Sequence, residues 1–225
     1  MSEYLLINIL IILIPLILSF EKNLRFYKKL PYYLFSISIV STAYIIWDSI
    51  ATVRGDWGFN PEYLTEYYLF NLPVEEILFF ITVPYSSLFI YETVGFYIQE
   101  KKFEFSKYYF VIPFILFLVN AYLFVDQTYT FIVSLYAASF ILISILMFAK
   151  LLLSRNFWIT ILIMFIPFFI VNYILTSVPI VTYNSIAIWN IRITTIPAED
   201  FIYSFSMIAL WILFYEFGKI LLGNK

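Results

Sequence analysis

The sequence predicts an all-α membrane protein: a polytopic bundle of about seven transmembrane helices, built from two parallel three-helix repeats plus a connector helix. Three observations lead there. Of the 225 residues, 63% are hydrophobic and 12% charged, against ~45–50% and ~25% in soluble domains. Mean hydropathy is +0.92. Seven apolar segments approach the ~20 residues that cross a bilayer. Finally, a constant shift of 124 residues lays one half of the chain on the other without a gap. The division this predicts is 1–101 for the first repeat, 102–127 for the connector and 128–225 for the second repeat, all within one integral-membrane domain.

The segments run at roughly 4–20, 31–53, 73–97, 107–125, 129–149, 157–177 and 197–221. The first is short and lies where a secretion signal would. No positive residue precedes it and no small-residue cleavage site follows, so it reads as a helix. The charged turn Glu21 to Lys29 separates it from the second, which Pro31 opens and Arg54-Gly55-Asp56-Trp57-Gly58 closes. Pro73 and Pro197 are expected near helical position N1, where a missing N–H costs nothing. Pro84, Pro113 and Pro167 fall inside or near the start of spans and are candidate kinks.

Lysine and arginine predict the orientation. Lys22, Arg25, Lys28, Lys29, Lys101, Lys102, Lys107, Lys150, Arg155, Lys219 and Lys225 fall on one side, Arg54 and Arg192 on the other. Eleven against two is a strong positive-inside bias. It puts the amino terminus outside and the carboxyl terminus in the cytoplasm; the expected location is the cell (inner) membrane.

The repeat shows in its polar residues. Asp48 meets Asn172, Thr52 meets Thr176, and Phe59-Asn60 meets Tyr183-Asn184. Pro73-Val74-Glu75-Glu76 meets Pro197-Ala198-Glu199-Asp200, and Tyr91-Glu92 meets Tyr215-Glu216. Repeat plus connector makes four crossings, an even number, so both repeats point the same way. This is the parallel kind of repeat, with its axis along the membrane normal. Glu75, Glu76, Glu199 and Asp200 then lie at the outer ends of their helices. Asp48 and Asn172 lie about a turn inside, and Thr52, Thr176, Asn60 and Asn184 at or beyond the ends. The two halves can form one polar cluster. Glu92 and Glu216, 17 residues beyond Glu75 and Glu199, fall ~25 Å away at ~1.5 Å per residue.

The chain has no cysteine and no histidine. Disulfides, thiol nucleophiles, Cys/His zinc sites, His-ligated haem and Ser-His-Asp relays are excluded. No metal site and no cofactor are expected, and G-x-G-x-x-G is absent. The net charge of −2 argues against a nucleic-acid partner. Acid–base chemistry is left to carboxylates, Tyr, Lys and Arg.

The bland reading of Pro-x-Glu-Glu/Asp is an acidic first turn complementing the helix dipole. Ionisable groups inside a membrane bundle favour function instead. Crowded carboxylates in a low-dielectric site cannot all ionise. Glu75, Glu76, Glu199 and Asp200 are therefore the expected catalytic groups, since a protonated acid beside a carboxylate can deliver one proton and remove another. Trp47, Trp57, Phe59, Phe79, Phe80, Tyr183 and Tyr203 are candidates to stabilise a cation with their π faces, although most aromatics in such a chain fill core and interfacial belts. Arg192 either fixes a carboxylate in its ionised form or is an ordinary loop residue. Tyr91-Glu92 and Tyr215-Glu216 read as helix anchors at the interface. Acid, base and aromatic wall in an oily cavity suit proton-initiated rearrangement of an alkene.

Those residues carry a family resemblance. Asn71-Leu72-Pro73-Val74-Glu75-Glu76 running to Tyr91-Glu92, and Arg192 through Pro197-Ala198-Glu199-Asp200 to Tyr215-Glu216, resemble the integral-membrane lycopene cyclase domain. So do Trp47-Asp48 with Trp57-Gly58-Phe59-Asn60, and Asn172 with Thr176 and Tyr183-Asn184. The chain is similar to the fused form of this heterodimeric-type family over nearly its whole length. The resemblance implies a lycopene β-cyclase converting ψ ends to β-rings, by way of γ-carotene to β-carotene, with no net redox. It also implies lycopene and other linear carotenes as substrates, beside membrane lipid, with a homo-oligomer or a complex with other carotenoid enzymes as further partners.

Other classes compete. A carotenoid hydratase would use the same acid and cation and let water capture the cation. A non-catalytic carotenoid binder or carrier would need only the cavity. A polyprenyl transferase would need Asp-rich motifs, and the four aspartates here are dispersed. A retinal photoreceptor would need a lysine within the last helix, whereas Lys219 lies at its end.

Overall fold

Helix ends sit where the sequence supplies a cap or a bend. The computed structural model describes residues 1–223; Lys225, counted above among the cations, lies outside them. Helix α1 (Glu3–Leu18) starts behind Ser2, whose Oγ accepts the Leu5 N–H at 3.2 Å, the usual N-cap arrangement. Helix α2 (Leu30–Arg54) carries Pro31 in its first turn and stops at Gly55. Gly55 has φ +83, a left-handed conformation that glycine adopts without a Cβ clash. Helices α3 (Val74–Tyr97), α4 (Val111–Leu123, after a 3₁₀ turn at Lys107–Phe110) and α5 (Thr128–Met147) follow. A single turn, α6 (Ala149–Leu152), precedes α7 (Arg155–Ser177) and α8 (Ala198–Leu222). Ser154 caps α7 through the Phe157 N–H at 3.0 Å.

Each of the seven expected spans holds one helix among the described residues. Five are long and apolar enough to cross a membrane, and Glu3–Leu18 and Lys107–Leu123 are shorter. The position of two prolines needs correcting. Pro73 and Pro197 are N-caps in extended conformation, not first-turn residues. Each closes a small hairpin just before its helix: β2 (Tyr68–Leu69) with β3 (Leu72–Pro73), and β5 (Arg192–Ile193) with β6 (Ile196–Pro197). The helix therefore starts one residue later, and proline's fixed φ serves the strand. Pro84 and Pro167 lie inside α3 and α7, and Pro15 inside α1.

The orientation of the repeats is written in one strand pair. Strand β1 (Trp57–Phe59) follows α2, and β4 (Val181–Tyr183) follows α7. They pair antiparallel, Trp57 against Tyr183, Gly58 against Thr182 and Phe59 against Val181. The Asn60 N–H donates to the Ile180 carbonyl at 2.9 Å, and the Asn184 N–H to the Asp56 carbonyl at 2.8 Å. These bonds interchange under the 124-residue shift. A pseudo-twofold axis therefore passes between Gly58 and Thr182. An inverted repeat would put the two loops on opposite faces, so the repeats are parallel. The remaining loop bonds obey the same symmetry. Val74 N–H reaches the Tyr67 carbonyl and Ala198 N–H the Ile191 carbonyl, both at 2.9 Å.

Packing follows the axis. Helix α2 lies most extensively on α8, and α3 also touches α7, which joins the halves; within them α1 packs on α3 and α5 on α8. Apolar contact alone gives little drive between helices in lipid, so polar groups stitch them. Thr82 Oγ1 donates to Asn8 Oδ1 at 2.7 Å, Asn8 Nδ2 to the Glu75 carbonyl at 3.0 Å and Ser86 Oγ to the Ile11 carbonyl at 2.9 Å. At the far end the cations meet. Lys29 pairs with Glu92, and Lys219 with Glu92 and Glu216, both at 2.6 Å. Tyr215 donates to Glu92 at 2.7 Å, and the Lys219 ammonium lies 4.6 Å from the Tyr215 ring centre. The two Tyr-Glu pairs thus form one cluster across the repeats, remote from the paired acids.

Candidate functional site

A cavity of about 510 Å³ runs down the bundle between α1, α3, α7 and α8. Its walls are mainly apolar, and its polar groups gather under the β1–β4 ribbon. The exposed residues on its lining are Leu10 and Ile14 of α1 and Ile170 and Ile174 of α7. The cavity therefore opens sideways, between two helices that barely touch, onto the apolar surface of the bundle.

Helix geometry divides each pair of acids. Successive residues on an α-helix point ~100° apart, at 3.6 residues per turn, so neighbouring carboxylates face different surroundings. Glu75 is fully buried and turns to the loop and α1. Its Oε1 accepts from Ser2 Oγ and from the Thr65 N–H, both at 2.7 Å. Glu199 does the same in the second half, accepting from Thr130 Oγ1 at 2.8 Å and from the Trp189 N–H. Thr65 and Trp189 are equivalent under the 124-residue shift. Neither Glu75 nor Glu199 lines the cavity. Both tie a loop to the start of a helix.

The second acids face inward. Glu76 lines the cavity and accepts a hydrogen bond from the Tyr4 hydroxyl. Asp48 lines the same end of the cavity. Asp48 Oδ1 accepts from Trp57 Nε1 at 2.8 Å, and its buried Oδ2 meets no donor. Asp200 is 2% exposed and accepts on both oxygens, from Tyr129 at 2.6 Å and Tyr183 at 2.9 Å. Tyr183 lies outside the helices. Burial first, then the charge of Asp200, hold its phenol well above the ordinary value, so it stays a proton-bearing donor.

Around these acids Trp57, Phe59, Phe79, Tyr203 and Asn172 also line the cavity. Trp47 is buried behind them, edge-on to Trp57 at 5.0 Å and stacked on Tyr129 at 5.9 Å. Phe80 is likewise buried off the lining. Thr52 stands one turn along α2 from Asp48, its hydroxyl buried. Thr176 bonds the Asn172 carbonyl at 2.8 Å and Thr195 at 2.7 Å.

Several expected site residues are elsewhere. Asn60 and Asn184 shape their loops, each accepting on Oδ1 the N–H two residues on, at 3.1 and 3.0 Å. Arg192 is exposed and donates to the Thr195 carbonyl at 2.7 Å. Its guanidinium lies 5.9 Å from the Tyr183 ring centre, one side chain removed from Asp200. Tyr91, Glu92, Tyr215 and Glu216 belong to the lysine-rich end.

Tyr4 and Tyr129 escaped sequence reasoning. Tyrosine is common here, with 20 in the chain, and the repeat offers no signal, because the shift lays Tyr4 on Thr128. Ser2 and Thr130 escaped for the same reason. Among the described residues no group of three or more acidic side chains is placed to hold a metal ion.

The family model for lycopene cyclase matches the chain twice, at residues 2–94 and 126–218. The two matches are offset by the same 124 residues and together span most of the chain. No curated protein and no solved structure in the comparisons matches it.

Proposed function

The chain belongs to the lycopene cyclase family, and from that premise we propose that it is a lycopene β-cyclase, closing the ψ ends of lycopene into β-rings. One observation carries the reading. Three buried carboxyl groups, those of Asp48, Glu76 and Asp200, line one apolar cavity that opens onto the apolar surface of the bundle.

The chemistry fits those parts. A proton added to C2 leaves a cation at C1. The C5=C6 electrons form the C1–C6 bond and move the positive charge to C5. Loss of the C6 proton restores C5=C6 and completes the ring. Atoms and electrons are conserved, so the step is an isomerisation. Trp57, Phe59, Phe79 and Tyr203 present π faces to the cation, and the apolar walls keep water from it. Glu75 and Glu199 support the site by holding its loops. A carotene dissolved in the bilayer would enter between α1 and α7. The eleven-to-two split of Lys and Arg supports an outer position for the carboxylates, with the lysine-rich end in the cytoplasm.

The test is expression in a lycopene-accumulating host, with pigment extraction. The expected products are monocyclic and then dicyclic carotenes with β-rings. In heavy water each new ring should carry one deuterium, at C2. Acyclic product hydroxylated at C1 would make the chain a hydratase, and unchanged lycopene would leave it a binder or carrier.

A further inference from the structure

The two repeats are built alike but do not surround their inward acids alike, and the differences fall at three equivalent positions. Asp48 corresponds to Asn172, Glu76 to Asp200 and Phe59 to Tyr183. In the first repeat two carboxyl groups line the same end of the cavity. Two carboxyl groups crowded into a low-dielectric site cannot both ionise cheaply, which favours a proton on one of them. Their other partners are one phenol, Tyr4, and one indole, Trp57. In the second repeat an amide replaces the neighbouring carboxyl group. Asp200 instead receives a phenol on each oxygen, at 2.6 and 2.9 Å. Donors on both oxygens suit a charged acceptor.

We propose that the repeats divide the proton's path: the Asp48–Glu76 pair delivers the proton to C2, and Asp200, held by Tyr129 and Tyr183, takes the proton from C6. The assignment rests on the cyclase reading above and adds direction to it. The carboxyl O–H of Glu76 breaks as the C2–H bond forms at the expense of the C1=C2 electrons. After ring closure the Asp200 carboxylate accepts the C6 proton, and the C6–H electrons become the C5=C6 bond. One turnover moves one proton from the first repeat to the second. That proton must be replaced in the pair and shed by Asp200 before another ring can close. Tyr129 and Tyr183 act as positioning residues, because they donate to both oxygens of Asp200, which aims it and favours its carboxylate form.

Product identity separates the roles. Glu76→Gln should abolish rings of every kind, by at least ~10²-fold, the lower range for general acid–base catalysis. Asp200→Asn should still permit ring closure, but the C5 cation should lose a proton from C4 or from the C5 methyl, or capture water. The expected result is cyclised product in which β-rings are a minority. Tyr183→Phe leaves the acid and removes one donor, so it should raise the share of non-β rings while rings still form. Each variant is compared at equal membrane abundance with the unaltered chain. If the unaltered chain makes no ring, the cyclase reading fails before the assignment is reached. If it does, non-β rings from Glu76→Gln with none from Asp200→Asn would reverse the direction. Loss of all rings in both variants, with Tyr183→Phe giving only β-rings, would remove the division.

Discussion

Glu75 and Glu199 do the same work in the two halves, down to equivalent backbone partners, Thr65 and Trp189. Glu76 and Asp200, one residue along, have different lengths, different neighbours and different hydrogen-bond donors. The contrast shows which part of a duplicated architecture is held in common. A loop tied to a helix start is a requirement of each half separately, so both halves meet it alike. The cavity is a single space shared by both halves. Nothing in its symmetry requires both walls to carry the same group, and a reaction that adds one proton and removes another needs them to differ.

The comparison is broken most directly by exchanging roles within a pair. Glu76→Gln should lower ring formation at least ~10²-fold, and Glu75→Gln far less, because a Gln oxygen can still accept from Ser2 and Thr65. Pigment analysis at matched membrane abundance decides it. Equal losses would mean that the tying acid also takes part in the chemistry.

Next in size is the tie itself. Glu75→Ala and Glu199→Ala each leave a buried backbone N–H and a hydroxyl unpaired, at about 1–3 kcal/mol per orphaned group. Both should lower the unfolding midpoint in detergent by similar amounts. A loss confined to one half would show that the ties are unequal.

Gly55 sharpens the comparison at a helix end. Its counterpart under the shift is Pro179, so the left-handed stop is peculiar to the first half. Gly55→Ala should cost about 1–2 kcal/mol through φ strain alone, since nothing lies within 4 Å of the added Cβ. The smallest effect is expected at Arg192. Arg192→Gln should change stability by less than about 0.5 kcal/mol, because the side chain is exposed and holds only its own hairpin. A large fall in ring formation would mean that its charge reaches Asp200 through Tyr183.

Much of this architecture is legible in the sequence, for physical reasons. Lipid demands long apolar helices, and scarce polar residues make a repeat easy to see. The hairpins before α3 and α8 are not legible. Their left-handed turn positions are held by Phe70, Asn71 and Thr194, without the glycine that marks such turns. The doubled Pro-x-Glu-Glu/Asp motif points to four acids, but which two face the cavity depends on helix rotation set by packing. Asp48 is legible through its match with Asn172 under the 124-residue shift. The tyrosines that complete the site come from α1 and α5, where aromatic residues are ordinary filling.

The axis between Gly58 and Thr182 has a consequence for handedness. Equivalent residues under a twofold stand on opposite sides of it, so in the proposed reaction Glu76 and Asp200 would address a substrate from opposite walls. The cavity is also chiral, and its mouth admits a carotene from one direction. The trigonal C1=C2 bond of a ψ end seated there would show one face to the donor. The two hydrogens on C2 of the finished ring are then distinguishable by origin, one inherited and one delivered, each in a fixed configuration. The geminal methyl groups at C1 keep separate identities for the same reason. A ring that looks symmetric in the flat drawing of the product would thus carry, in its isotopic stereochemistry, a record of which half of the protein stood above it.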